Sequence, residues 1–162
     1  MSKANQIQIG GDHYRPDGED QRQHWDMMYA FSWDYFLCAA SKYVDRLGRK
    51  DVGFQELRKA SHYLQKRIEL ADKGVHGADM TYHPRDPSLF PATSRAVVVR
   101  DLTEWAIARG YSTFQLGFLM LLAVGEYKSA IKLVEAELAK IPAQQVSEGP
   151  GRTYVNPDVN QP

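Results

Sequence analysis

The sequence contains a single cysteine, Cys38, among its 162 residues, so no disulfide can form within one chain. The charges of its 20 basic and 20 acidic residues cancel. The protein therefore has no net positive charge of the kind that attracts proteins to nucleic acid or to a membrane surface. The longest apolar run, residues 118–124, is far shorter than the roughly 20 residues that a spanning helix needs. The N-terminus carries no apolar secretory segment. We therefore expect a cytoplasmic protein without membrane or nucleic-acid partners, in which any anion site arises from local clustering of charge.

The sequence lacks the motifs that several kinds of enzyme or metal site require. The sequence has neither a Walker loop nor a dinucleotide-binding glycine fingerprint. Its five histidines are scattered and cannot form the Cys/His ligand pairs of a structural zinc site. All-α nucleotide pyrophosphatases need two paired-carboxylate motifs, and only ELAD at 69–72 resembles one. Cys38 lies in an apolar run and is expected to be a small core residue. Trp25, Trp33 and Trp105 are most simply core anchors, and at best one of them stacks on a base.

Helical periodicity dominates the middle of the chain. The stretch SWDYFLCAASKYVDRLG predicts a helix that Ser32 caps and Gly48 ends. Its apolar stripe is formed by Phe36, Ala39, Ala40, Tyr43 and Leu47. A second stripe begins near Val52, includes Leu57, Ala60 and Leu64, and ends at Gly74. Two helices joined by a short loop form an antiparallel hairpin.

Composition divides the chain into four parts. Residues 1–75 contain a glycine-rich arm and the hairpin, and residues 76–94 form a proline-rich loop. Residues 95–142 form a C-terminal helical segment, and residues 143–162 have too few apolar groups to fold alone and are predicted to be a flexible tail. The predicted fold class is all-α, a helical hairpin plus C-terminal helices in a small bundle with an irregular N-terminal arm.

The C-terminal segment is predicted to contain three helices. Gly110 ends the first, the capping box of Ser112 and Gln115 opens the second, and Gly125 separates the second from the third. The second helix, FQLGFLMLLAV, is apolar on all sides. Because flanking helices could not easily cover it, we expect a homo-oligomer.

Two rows of positive charge lie on the hairpin. Lys42, Arg46 and Lys50 follow each other at helical spacing on the first helix, beside a compensating pair of Asp45 and Arg49. Lys59, His62, Tyr63 and Lys66 share one face of the second helix. Brought together, the rows would form a cationic cleft suited to phosphate groups. If the row forms a phosphate site, replacing Arg46 with alanine should weaken ligand binding and leave thermal stability unchanged or slightly improved, because exposed charges contribute little to folding. If Arg46 is instead a structural ion-pair partner, the same change should lower the melting temperature and leave ligand affinity unchanged. The alternative is an ordinary solvated helical surface.

A glycine pair precedes the hairpin. Gly10 and Gly11 permit a tight turn whose backbone N–H groups could bind an anion. Asp12, His13 and Tyr14 follow directly, and we expect this arm to fold back over the hairpin.

These motifs together resemble a known family. GGDHY, then Trp25 and Asp26, KYVDR at 42–46, Lys50, and ELRKASHYL at 56–64 resemble the signature of a small phage-encoded nucleotide-kinase-like family without a Walker motif. The resemblance covers about residues 8–70. This sequence departs from the pattern in two places, since Ala39 and Ala40 replace a glycine-asparagine pair and Glu56 replaces an aspartate.

The resemblance implies a phage nucleotide-binding protein, similar to a nucleoside monophosphate kinase, in the cytoplasm of the infected bacterial host. If the protein is an enzyme, its cofactor would be Mg²⁺ with a nucleoside triphosphate, and Asp12 or Glu56 could hold the magnesium; otherwise no cofactor is expected. No metal site of the protein's own is assigned. The candidate catalytic residues are Asp12, His13, Lys42 and Arg46. The candidate nucleotide-binding residues are Gly10, Gly11, Tyr14, Tyr43, Lys50, Lys59, His62 and Tyr63.

Two other functions fit the same residues. A non-catalytic binder could sequester a nucleotide or a nucleotide-derived host defence signal, and it would need the cationic cleft without a metal ligand or a base. The missing asparagine favours this alternative. In the other, the chain is a helical structural module and its basic rows are only solvated.

Overall fold

The computed structural model describes residues 22–31, 33–48, 53–74 and 95–142, with side chains from residue 99 onward in the last range. These residues contain six helices and no strand, which confirms the predicted all-α class. The helices are α1 His24–Ala30, α2 Tyr35–Asp45, α3 Gly53–Asp72, α4 Arg95–Ala108, α5 Thr113–Ala123 and α6 Tyr127–Leu138. The predicted arm, the loop at 76–94 and the tail at 143–162 lie outside the described residues.

The predicted hairpin is formed by α2 and α3, which make the most extensive helix contact in the bundle. Leu57, Ala60 and Leu64 bury one stripe of α3, as their spacing predicts. The four glycines predicted to end helices, at positions 48, 74, 110 and 125, have φ values between +67° and +83°. A side chain is strained in this left-handed region, so glycine is the favoured residue there.

The start and the buried face of α2 differ from the prediction. Asp34, rather than Ser32, caps the helix, because its Oδ1 accepts a hydrogen bond from the Leu37 N–H at 3.0 Å. The most deeply buried stripe contains Leu37, Ala40 and Val44, one residue away from the predicted stripe through Tyr43. The displacement arises because α1 and α5, as well as α3, pack against α2.

Helix α1 is not among the predicted helices, the first of which starts at Ser32 after an irregular glycine-rich arm. Asp26 accepts a hydrogen bond from the Gln23 backbone N–H at 2.7 Å and so closes its first turn. Met27, Met28 and Ala30 are buried against the rest of the bundle. At seven residues, α1 owes its stability to this packing rather than to intrinsic propensity.

The C-terminal helices complete the bundle. The predicted capping box opens α5: Ser112 Oγ accepts from the Gln115 N–H at 3.2 Å, and Gln115 Oε1 accepts from the Ser112 N–H at 2.9 Å. Helix α5 contacts α2, α4 and α6, and α6 also packs against α3. Phe118 and Leu119 are therefore fully buried within one chain. The expected homo-oligomer stays a prediction.

The tryptophans and the cysteine divide between core and surface. Trp105 is fully buried and its Nε1 donates to the Arg22 carbonyl at 3.2 Å, as expected of a core anchor. Trp33 is partly buried, but the same expectation is wrong for Trp25, which is 48% exposed. Burial raises the pKa of the half-buried Cys38 thiol to about 11, which makes it a poor nucleophile at neutral pH. Within the described ranges, no helix has both the length and the apolar character required to cross a bilayer.

Candidate functional site

Three cations of the two predicted basic rows meet around one aromatic ring. Lys42 Nζ lies 4.7 Å, Arg46 Cζ 5.1 Å and Lys59 Nζ 5.3 Å from the centroid of the Tyr43 ring. We call these four residues the Tyr43 cluster. The face of an aromatic ring attracts cations, so Tyr43 lets the charges of α2 and α3 approach each other at a partly exposed surface.

A buried carboxylate holds two of these cations in place. Glu56 is fully buried, and its Oε2 accepts from Arg46 Nε at 3.0 Å and from Arg46 Nη2 at 2.5 Å. Its Oε1 accepts from Lys59 Nζ at 2.9 Å. Arg46 is only 7% exposed, so the expectation of an exposed arginine is wrong. Glu56, a candidate Mg²⁺ ligand, has both oxygens engaged by cations.

Further aromatic rings extend the cluster along the hairpin. Tyr63 stacks on Tyr43, with centroids 5.7 Å apart and planes inclined by 24°. Tyr35 packs edge-on against Tyr63 at 5.9 Å. His62 also meets the Tyr63 ring edge-on, at 6.1 Å, and its side chain is exposed. Tyr43, Tyr63 and Tyr35 thus form a continuous row of rings, which we call the tyrosine row.

The tyrosine row leads to a pocket between α1 and α2. This α1–α2 pocket has a volume of about 400 Å³. Its described lining residues are Gln23, His24, Trp25 and Met28 from α1 and its N-cap, and Tyr35, Cys38, Ala39 and Lys42 from α2. Lys42 and Tyr35 therefore belong both to the pocket and to the surface that carries the Tyr43 cluster and the tyrosine row.

A neutral histidine lines this pocket. The Nε2 of the buried His24 lies 3.0 Å from Ser41 Oγ. The single Ser41 hydroxyl proton is available to the Leu37 carbonyl at 2.8 Å; when it is used there, His24 Nε2 is the donor to Ser41. Burial lowers the pKa of His24 to about 4, against the opposing effect of Asp45. At neutral pH the imidazole therefore contributes no charge to the pocket.

The C-terminal half anchors the end of α2 that carries the cluster. Asp45 is fully buried, and its Oδ1 accepts from Arg109 Nη2 at 3.2 Å and from the Tyr111 hydroxyl. Burial, reinforced by Asp45, raises the pKa of Tyr111, so its hydroxyl stays protonated and donates. Gln115 Nε2 donates to the Val44 carbonyl at 2.9 Å. Asp45 therefore belongs to a buried network and not to an exposed polar face, while its predicted partner Arg49 lies outside the described residues.

The predicted site residues divide into two groups. The hairpin brings together Lys42, Tyr43, Arg46, Lys59 and Tyr63, with His62 at the edge of the tyrosine row. The other predicted residues lie outside the described part of the chain; these are Gly10, Gly11, Asp12, His13, Tyr14 and Lys50.

Sequence reasoning missed the α1 side of the pocket. The sequence patterns mark Trp25 only through the family resemblance and as one of three tryptophans that are core anchors or, at best, stack on a base, and they give His24 no role beyond being one of five scattered histidines. The usable signal was the HWDMMYA stretch, in which Met27 and Met28 lie three and four residues after His24. At a length of two turns this signal is too short to distinguish from an irregular segment.

No metal centre is evident in residues 22–31, 33–48, 53–74 and 95–142, where no three His, Cys, Asp or Glu side chains converge. Comparisons with protein-family models, with curated proteins and with solved structures found no match. The functional argument therefore depends on the geometry of the site.

Proposed function

We propose that this chain binds a nucleotide, with its phosphate groups at the Tyr43 cluster. The supporting observation is the convergence of Lys42, Arg46 and Lys59 within 5.3 Å of one tyrosine ring. These cations and Glu56 carry three positive charges and one negative charge. An anion placed among them relieves the repulsion between the cations and forms charge-assisted hydrogen bonds.

The residues of the cluster have different roles in this proposal. Lys42 and Lys59 are only partly buried, so each can present its ammonium group to a phosphate chain as a point charge, Lys59 while it stays bonded to Glu56. Arg46 is fixed by Glu56, so it contributes a preorganised positive charge and a defined position for the Tyr43 ring. Tyr43 and Tyr63 add aromatic surface beside the charges.

One mode of action is phosphoryl transfer, as in the nucleotide-kinase-like family that the sequence resembles. Transfer would require Mg²⁺ with a nucleoside triphosphate, a second nucleotide as acceptor, and Asp12 and His13 as magnesium ligand and proton-handling group. Phosphoryl transfer depends on charge neutralisation and in-line positioning, and the Tyr43 cluster supplies the first of these. We place this activity in the cytoplasm of a phage-infected bacterium, in a protein that we expect to be a homo-oligomer.

The second mode is sequestration of a nucleotide or of a nucleotide-derived host defence signal. One observation favours it: Glu56, the described carboxylate nearest the cations, is fully buried and already bonded to Arg46 and Lys59. Binding of Mg²⁺ there would break these bonds. A binder needs no metal ligand at this position.

One experiment tests nucleotide binding and distinguishes the two modes. The protein is titrated by calorimetry with the common nucleoside mono- and triphosphates, and the recovered nucleotides are analysed by chromatography after incubation with ATP and Mg²⁺. Product formation supports transfer, and binding of intact nucleotide supports sequestration. If no nucleotide binds at millimolar concentration, the proposed function is wrong.

Two lysine variants locate the phosphate site. Lys42→Gln and Lys59→Gln should each weaken nucleotide binding by about ten- to hundred-fold, the equivalent of roughly 1.5–3 kcal/mol for a hydrogen bond to a charged group. Lys132→Gln is the matched control, because Lys132 is an exposed lysine of α6 outside the cluster. Equal nucleotide affinity in all three variants would show that the Tyr43 cluster is not the phosphate site.

A further inference from the structure

We propose that the α1–α2 pocket binds the nucleobase of the nucleotide whose phosphates lie at the Tyr43 cluster. This assignment depends on the proposed function and extends it, because it defines the ligand as a nucleoside phosphate rather than any polyanion. It also gives a role to α1, which the sequence analysis did not predict.

The dimensions and walls of the pocket suit a planar heterocycle. Its volume of about 400 Å³ falls at the lower end of the roughly 300–1,000 Å³ range of small-molecule sites. Trp25 from α1 and Tyr35 from α2 stand at the pocket with 48% and 69% of their surface exposed. Large aromatic side chains with so much surface in water are available to stack on a base.

The inner surface of the pocket disfavours phosphate and so fixes the orientation of the ligand. His24 is neutral at pH 7, since burial lowers its pKa to about 4, and Met28 and Ala39 are apolar. Among the described lining residues only Lys42 carries a positive charge. A phosphate placed deep in the pocket would lose its hydration with Lys42 as the one described cation to offset its charge, whereas an uncharged base has no charge to desolvate.

Lys42 joins the pocket to the phosphate site. Its side chain lines the pocket, while its Nζ lies 4.7 Å from the Tyr43 centroid. The tyrosine row provides a second connection, from Tyr35 at the pocket through Tyr63 to Tyr43. A ligand with its base between Trp25 and Tyr35 therefore has its phosphates directed towards Lys42 and the rest of the Tyr43 cluster.

The test separates the base from the phosphates. Calorimetry measures the affinities of three classes of probe. These are the free nucleosides adenosine, guanosine, cytidine, uridine and thymidine, the mono- and triphosphates of the same nucleosides, and inorganic tripolyphosphate. The variants are Trp25→Ala, Tyr35→Ala and Lys42→Gln. Tyr29→Ala is the matched control, because Tyr29 is a 52% exposed aromatic of α1 that is not among the residues lining the pocket.

Trp25→Ala and Tyr35→Ala should each weaken binding of the preferred nucleotide by roughly 5- to 150-fold, the usual loss for one stacked base, and leave tripolyphosphate affinity unchanged. Lys42→Gln should weaken nucleotide and tripolyphosphate binding alike. Tyr29→Ala should bind every probe like the wild type. Because Trp25 and Tyr35 are so exposed, their variants should fold, and equal melting temperatures verify this.

Three different results would overturn different statements. If Trp25→Ala and Tyr35→Ala bind the nucleotide normally while Lys42→Gln does not, the base lies outside this pocket and the proposed nucleotide function still holds. If the wild-type protein binds tripolyphosphate as tightly as every nucleotide, the base contributes nothing and the pocket assignment is wrong. If it binds neither, the proposed function itself fails.

Discussion

Replacing Arg46 with alanine should destabilise the protein strongly, contrary to what an exposed row of basic residues implies. Arg46 is 7% exposed and donates two hydrogen bonds to Glu56, which is fully buried. The substitution removes the partner of a carboxylate that has no access to water. It also removes the guanidinium group that lies over the Tyr43 ring, 5.1 Å from the ring centroid.

The expected loss follows from the contacts that remain. Removing one partner of a buried ion pair costs about 3–5 kcal/mol of unfolding free energy. Lys59 continues to neutralise Glu56 across 2.9 Å, so we expect the lower value, about 3 kcal/mol. For a domain of this size 1 kcal/mol shifts the melting temperature by roughly 2–4 °C. Arg46→Ala should therefore melt about 6–12 °C below the wild type.

Urea unfolding followed by circular dichroism measures this loss, with two comparison variants. Lys59→Ala should cost much less, because the Lys59 side chain is 40% exposed and solvent screens its charge. The double variant Arg46→Met with Glu56→Leu should recover most of the stability, because neither replacement leaves a buried charge unpaired. The dependence of the unfolding free energy on urea concentration should stay constant across the series, since the folded state is otherwise unchanged.

Two outcomes would refute this reasoning. An Arg46→Ala protein that unfolds at the wild-type urea concentration would show that the ion pair contributes nothing. A double variant as unstable as Arg46→Ala would show that the loss comes from packing and not from the unpaired Glu56 carboxylate. Because Arg46 affects folding and ligand affinity together, Lys42 and Lys59 are the better residues for testing the phosphate site.

Two further predictions concern the buried polar groups. Burial lowers the pKa of His24 from 6.5 to about 4, so between these pH values the unfolded chain binds the additional proton and the stability falls as the pH falls. The loss should reach about 3 kcal/mol below pH 4, at 1.36 kcal/mol per pKa unit; urea titrations of wild type and His24→Asn measure it, and equal pH slopes would contradict it. Tyr111→Phe removes one hydrogen bond to the buried Asp45 carboxylate and should cost about 1.5–3 kcal/mol. A Tyr111→Phe protein with wild-type stability in the same urea assay would show that Arg109 alone satisfies Asp45.

Local sequence patterns determined the helices that are long or clearly capped. Helix α3 runs for 20 residues, and over that length its apolar stripe is unambiguous. Helix α5 begins at its capping box because Ser112 and Gln115 are only three residues apart and bond to each other's backbone. Both signals arise from residues that are close together in the chain, so they can be recognised without knowledge of the fold.

Contacts between distant residues decided the rest of the candidate site. The short helix α1 is stabilised by tertiary packing, so its sequence alone gives no clear signal. Asp45 has the appearance of an exposed helical charge, yet its partner Arg109 lies 64 residues away. The spacing of Lys42 and Lys59 in the sequence does not distinguish them from other lysines on a helix surface. Only the packing of α2 on α3 places both beside Tyr43. Periodicity thus specifies which residues share a helix face, whereas the burial and charge pairing of that face depend on which other helices cover it.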